Sequence, residues 1–166
     1  DQAKVKKIEN KQAPINEPLM QELLNEKSLN LSATICYQED LATSDLVILA
    51  LPTNYDEVVN FFDTSILEKV LNDINTSDSN ATVVIKSTIP IGFTKKVSNA
   101  FPKLSIVFVP EFLREGCAIK DNLYPSRIVI GSMQENASAI AEVFLKIAKN
   151  IPEVLYMSSN EAEAVK

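Results

Sequence analysis

The chain has 166 residues, of which 46% are hydrophobic and 23% charged, and a formal net charge of -6. That length supports one core of ordinary size but is short for a two-domain enzyme. The negative balance speaks against nucleic acid or an anionic membrane as the main partner, because either polyanion would be repelled. Histidine is absent, and Cys36 and Cys117 sit in no metal-ligand spacing, so neither a metal site nor the usual neutral-pH general base is expected. The longest apolar stretch, residues 46–51, falls far short of the roughly 20 residues that span a bilayer, and residues 1–10 hold no signal-peptide core. A cytoplasmic protein is the expectation.

In chain order, Leu19, Met20, Leu23 and Leu24 predict a short helix behind Asn16, followed by a strand over residues 29–35. From residue 45 onward, β-branched runs alternate with helical patterns, the signature of a parallel sheet covered by helices. The strands are expected at 45–51, 82–86, 105–109, 127–131 and 153–156. Ile66, Leu67, Val70, Leu71 and Ile74 recur at helical spacing behind the capping residues Asp63 and Thr64. Ala137, Ile140, Ala141, Phe144, Leu145 and Ala148 predict a second long helix. A last helix is expected from Asn160, with Glu163 completing a capping box. Only Gly92, Gly116 and Gly131 occur, so no Gly-rich phosphate loop is present. The expected fold class is α/β, and because a dinucleotide-binding sheet normally opens with that loop, either the fold is something else or its beginning is missing.

Three successive strands end in proline-marked polar segments: Leu51-Pro52-Thr53-Asn54-Tyr55, Lys86-Ser87-Thr88-Ile89-Pro90, and Val109-Pro110-Glu111-Phe112-Leu113-Arg114-Glu115. In an open parallel sheet the ligand crevice lies outside the carboxyl ends of the strands, so these segments should share one rim. Proline stiffens each loop, which would hold Thr53 and Thr88 in place, although both residues are also ordinary turn formers. On a helical turn, Glu111 and Glu115 would share a face with Arg114 beside them, an arrangement that surface charge pairing also explains. Lys166 by itself reads as a solvated lysine near a helix end. Cys117 has no histidine to activate it and is expected to be a small semi-buried thiol.

Taken in order, residues 86–94, 110–116, 121–127 and Glu161-Ala162-Glu163-Ala164-Val165-Lys166 resemble the serial motifs of the UDP-glucose 6-dehydrogenase family. The likeness extends over essentially the whole chain, Lys4 through Pro18 included, and the run 122–127 is more similar to the UDP-glucose enzymes than to their GDP-mannose relatives. The resemblance implies oxidation of UDP-glucose to UDP-glucuronate with two NAD, through an aldehyde and a cysteine thioester. It implies that Lys4, Thr53, Thr88 and Glu115 contact NAD. It also implies that Glu111, Phe112, Leu113, Arg114, Glu115 and Lys166 cradle the UDP-sugar, with Thr88, Glu111 and Lys166 at the reacting centre. A homodimeric full-length protein goes with it. The resemblance also implies a doubly wound (Rossmann-like) parallel sheet, incomplete because its first βαβ segment is missing, with residues 1–166 part of an NAD-binding domain that ends in the first turns of the connecting helix. Neither cysteine falls where the family keeps its nucleophile, so this stretch is not expected to be catalytic alone. A GDP-mannose or other nucleotide-sugar 6-dehydrogenase, and a non-catalytic nucleotide-binding domain derived from one, are the alternatives.

Overall fold

The computed structural model describes every residue except Lys27, Val59, Asp78 and Glu115. Three short helices come first: α1 (Gln2–Glu9), α2 (Pro18–Leu24) and α3 (Gln38–Leu41). There follow β1 (Leu46–Leu49), the two-residue strands β2 (Tyr55–Asp56) and β3 (Phe61–Phe62), α4 (Ser65–Thr76), β4 (Thr82–Ile85), α5 (Phe93–Ala100) and β5 (Ser105–Phe108). The chain continues through α6 (Ala118–Leu123), β6 (Arg127–Gly131), α7 (Ala137–Ile147), β7 (Glu153–Met157) and α8 (Ser159–Val165). The main sheet has the order β1-β4-β5-β6-β7.

Alternation along the strands divides the core. Val83, Ile85, Ile106, Phe108 and Val129 face α4, α5 and α8, meeting Leu67, Leu71, Ile74, Phe93, Val97 and Ala162. Val84, Val107, Ile128 and Ile130 face the other way, against Ala137, Ile140 and Ala141 of α7. Leu67, Leu71 and Ile74 are fully buried at helical spacing on α4, each contributing about 1.5–3 kcal/mol of apolar burial.

The five expected strands are present, with ends that differ by no more than two residues. Four other expectations are corrected. Residues 29–35 form no strand, and Leu29, Leu31 and Ile35 are exposed, so β1 forms the sheet edge among the described residues. The sheet is mixed: β1, β4 and β5 are mutually parallel, whereas β6 and β7, parallel to each other, run opposite to them. An antiparallel neighbour needs no crossover, and β6 meets β5 at the single pair Phe108 and Gly131. The cap of α2 is Glu17, ahead of Pro18 in the first turn, rather than Asn16. At α8 the capping box is built by Ser158 and Glu161, which leaves Glu163 free for another role. The α4 start agrees in part: Thr64 occupies the cap position, and Asp63 accepts the Ser65 N–H at 3.0 Å.

Candidate functional site

The carboxyl ends of β1, β4 and β5 lie side by side because these strands are parallel and in register, so their outgoing segments form one rim. Side-chain hydrogen bonds lace the first two together. Ser87, 5% exposed, accepts the Leu51 N–H at 2.8 Å and donates to the Leu51 carbonyl at 2.8 Å. Thr53 Oγ1 donates to the Thr88 carbonyl at 2.6 Å. Thr53 and Thr88 are therefore held in one place by structure that the prolines alone would not supply.

The third segment joins through charge. Lys166, just past α8, donates from Nζ to the Lys86 carbonyl at 2.6 Å and stands 3.8 Å from Glu111 Oε1. Its side chain is only 12% exposed, so an amine at a helix end, ordinarily a solvated charge, is here desolvated beside a carboxylate. Burial pushes Lys166 below the ordinary lysine range, and the Glu111 carboxylate opposes that shift. Lys86 is pushed down too, chiefly by burial, with Glu111 opposing and the Lys166 ammonium adding to the effect. Its Nζ lies 4.8 Å from the centre of the Phe144 ring. Among the described residues, Lys166 and Lys86 thus both lie in the field of the Glu111 carboxylate, an arrangement suited to developing negative charge.

Glu111 and Arg114 do not share a helical face, because residues 111–114 belong to no helix. Instead Arg114 forks onto Asp121, Nη2 to Oδ1 at 2.6 Å and Nε to Oδ2 at 3.1 Å, which closes the loop ahead of α6. Phe112 lies beneath the Arg127 guanidinium, 4.7 Å from ring centre to Cζ. These residues, with Glu111, Leu113 and Lys86, line a cavity of about 620 Å³. Glu115, expected at this site, lies outside the described residues. Lys4 sits on the exposed side of α1, and among the described residues no hydrogen bond or ion pair brings it to the rim. Cys117 is half-buried and Cys36 exposed.

Three participants were not placed at the site from sequence: Lys86, Ser87 and Glu163, the last expected only as a capping residue of its own helix. A lysine closing the apolar run Val83-Val84-Ile85 was the available signal for the first. Buried Ser87 and Glu163 carried none, since their partners lie 36 and about 70 residues away.

A family model, the NAD binding domain of the UDP-glucose/GDP-mannose dehydrogenase family, matches residues 1–149. The chain belongs to that family. It is 44% identical to the UDP-glucose 6-dehydrogenase of Campylobacter jejuni over 100% of this chain and 42% of the relative. With the Streptococcus pneumoniae UDP-glucose 6-dehydrogenase it shares 40% identity over 98% of this chain and 43% of the relative. Among solved structures, a UDP-glucose dehydrogenase from Pyrobaculum islandicum superposes with a TM-score of 0.86 at 28% identity, covering 99% of this chain and 40% of that one. A GDP-mannose dehydrogenase from Pseudomonas aeruginosa, at TM-score 0.86 and 23% identity, matches in fold over 100% of this chain and 41% of that one. The chain spans about two fifths of the length of these relatives.

NAD is the family's cofactor, and the rim fits one end of it. Thr53 and Thr88 place hydroxyl groups at the carboxyl ends of parallel strands, where a dinucleotide's ribose and nicotinamide amide need hydrogen-bonding partners. Among the described residues no group of three or more His, Cys, Asp or Glu could hold a metal ion, and no helix is long and apolar enough to cross a membrane.

Proposed function

We propose that the intact protein is a cytoplasmic, homodimeric UDP-glucose 6-dehydrogenase, and that residues 1–166 supply part of its cofactor site and one wall of its sugar site. The observation that carries this reading is the desolvated Lys166 amine held between the Lys86 carbonyl and Glu111. A CH₂OH group losing hydride and proton develops negative charge on its oxygen. A preorganised ammonium stabilises that charge without reorganising at the moment of reaction. Bound NAD supplies the hydride acceptor. Thr53 and Thr88 hold the cofactor's polar edge, and contacts from Lys4 and Glu115 rest on the family likeness alone. Glu111, beside Lys166, holds water and assists proton movement at the sugar, and Thr88 orients the reacting hydroxyl. Phe112, Leu113 and Arg114 wall the UDP-sugar. The overall conversion to UDP-glucuronate, with two NAD and a thioester on a cysteine other than Cys36 and Cys117, rests on the family likeness, as does the choice of UDP-glucose, which the run 122–127 favours over GDP-mannose.

Steady-state kinetics on the intact protein test the reading. Lys166→Ala removes one preorganised donor and is expected to lower kcat about 100-fold or more. Thr88→Ala and Glu111→Gln are expected to lower kcat more than they raise KM, because interactions felt mainly in the transition state act on kcat. Unchanged kcat in all three refutes the assignment.

A further inference from the structure

Glu163 is a carboxylate only 5% exposed, on the helix that carries Lys166. Its oxygens are not spent on α8. Oε1 accepts the Thr94 N–H at 2.8 Å and Oε2 the Gly92 N–H at 2.5 Å, so the side chain caps the amino end of α5 from another element. The N-cap of α5 is Gly92, which has no side chain to do this itself, and its φ of +90° suits glycine. An anion there is also favoured by the helix dipole. Three residues on, Lys166 grips the Lys86 carbonyl at the other end of the same connection. The β4–α5 connection, with Thr88 inside it, is therefore held by α8 at both ends. Ala162, between Glu161 and Glu163, packs so closely on Gly131 that a Cβ there would lie 2.7 Å from its own.

We propose that Glu163 is a positioning residue of the dehydrogenase site: by clamping Gly92 and Thr94 to α8, it sets where Lys166 and Thr88 stand relative to each other. This rests on the reading of Lys166 given above. Reacting groups displaced by about 1 Å can cost on the order of 100-fold in rate, so a loosened clamp acts on turnover although Glu163 touches neither substrate nor cofactor.

The test is Glu163→Gln and Glu163→Asp in the intact protein, with Lys166→Ala alongside. The amide can accept one N–H but presents its own donor to the other, so kcat is expected to fall at least about tenfold with KM for sugar and NAD within about threefold. Glu163→Asp keeps the charge on a shorter stem. It is expected to retain more activity than Glu163→Gln, and it is the variant read if the glutamine protein does not fold. A second readout separates positioning from charge: the pH dependence of Lys166 acetylation, followed by mass spectrometry. Lys166 stands beside Glu111 and in the field of Lys86, and Glu163 is three residues back in sequence with its carboxylate turned to α5. Losing the Glu163 charge alone lowers its pKa, whereas release from its buried seat raises it towards ordinary lysine, and the clamp requires the rise. Wild-type kcat in a folded Glu163→Gln protein, or a lowered Lys166 pKa, overturns the proposal. Wild-type kcat in Lys166→Ala overturns the underlying site assignment instead.

Discussion

Gly131→Ala probes how tightly α8 is seated. A Cβ at Gly131 would stand 2.7 Å from Ala162 Cβ, 2.9 Å from the Phe108 carbonyl oxygen and 3.4 Å from Phe108 Cβ. Carbon atoms rest at about 3.5–4.0 Å, so relief requires α8 to move by roughly 1 Å or β6 to part from β5. The second route is restricted, because the oxygen is backbone at the one Phe108–Gly131 pairing between those strands. Overpacking a tight core costs about 1–3 kcal/mol, and with two neighbours closer than contact the upper half, about 2–3 kcal/mol, is expected. Gly116→Ala is the control. A Cβ added at Gly116 would meet nothing within 4 Å among the described residues beyond its chain neighbours, but φ there is +73°, so its cost is backbone strain, about 1–2 kcal/mol. Urea denaturation of the intact protein, following the transition that reports this domain, yields both values. The Gly131→Ala protein should also lose turnover, because α8 carries Lys166. A cost at Gly131 below about 0.5 kcal/mol with kcat unchanged refutes the argument that α8 is locked against the sheet there.

The Arg114 fork holds Asp121 down at about 2, below the ordinary carboxyl value of 3.8. Because the folded value is the depressed one, what the pair contributes is present above pH 4 and is lost as pH falls towards 2. Carboxyl chemical shifts should show Asp121 titrating near 2 and rising towards the ordinary range in Arg114→Ala, where the residue 114 backbone N–H still donates to it; a midpoint near 3.8 with Arg114 present contradicts the fork. Cys117→Ser should leave turnover nearly intact, since the thiol is half-buried and the sequence holds no histidine to activate it, and abolished activity in a folded protein shows otherwise. A polypeptide of residues 1–166 should self-associate in sedimentation through the outer edge of β1, where Ile48 is 44% exposed. Ile48→Lys should make it more monomeric, and a monomer without that change refutes the edge argument.

Much of this protein is local, and what is local was legible. Period-two and period-3.6 patterns place the five main strands, α4 and α7, because side-chain alternation on a strand and recurrence on a helix are properties of consecutive residues. The proline-marked ends of β1, β4 and β5 indicated a shared rim, because parallel strands put successive carboxyl ends on the same side. Four motifs in order were enough to point to the family. Residues 29–35 show the limit: their apolar pattern suits a strand, yet pairing depends on a neighbour rather than on their own side chains. Strand direction shows it again, since nothing within residues 127–131 says whether β6 runs with β5 or against it.

At the site the division is sharper. Residue types and loop positions make Thr53, Thr88 and Glu111 candidates, with turn formation and surface charge pairing explaining them as readily. Whether Lys166 is a solvated charge or a desolvated one depends on the Lys86 carbonyl, 80 residues away in sequence. Glu163 read as a capping partner within its own helix, because capping boxes are recognised by spacing. Burial instead sends that carboxylate to the amino end of α5, and no spacing rule reaches across the sheet. Sequence determined which groups could act here; tertiary structure decided which of them are desolvated, and desolvation is what turns a charge into a tool for catalysis.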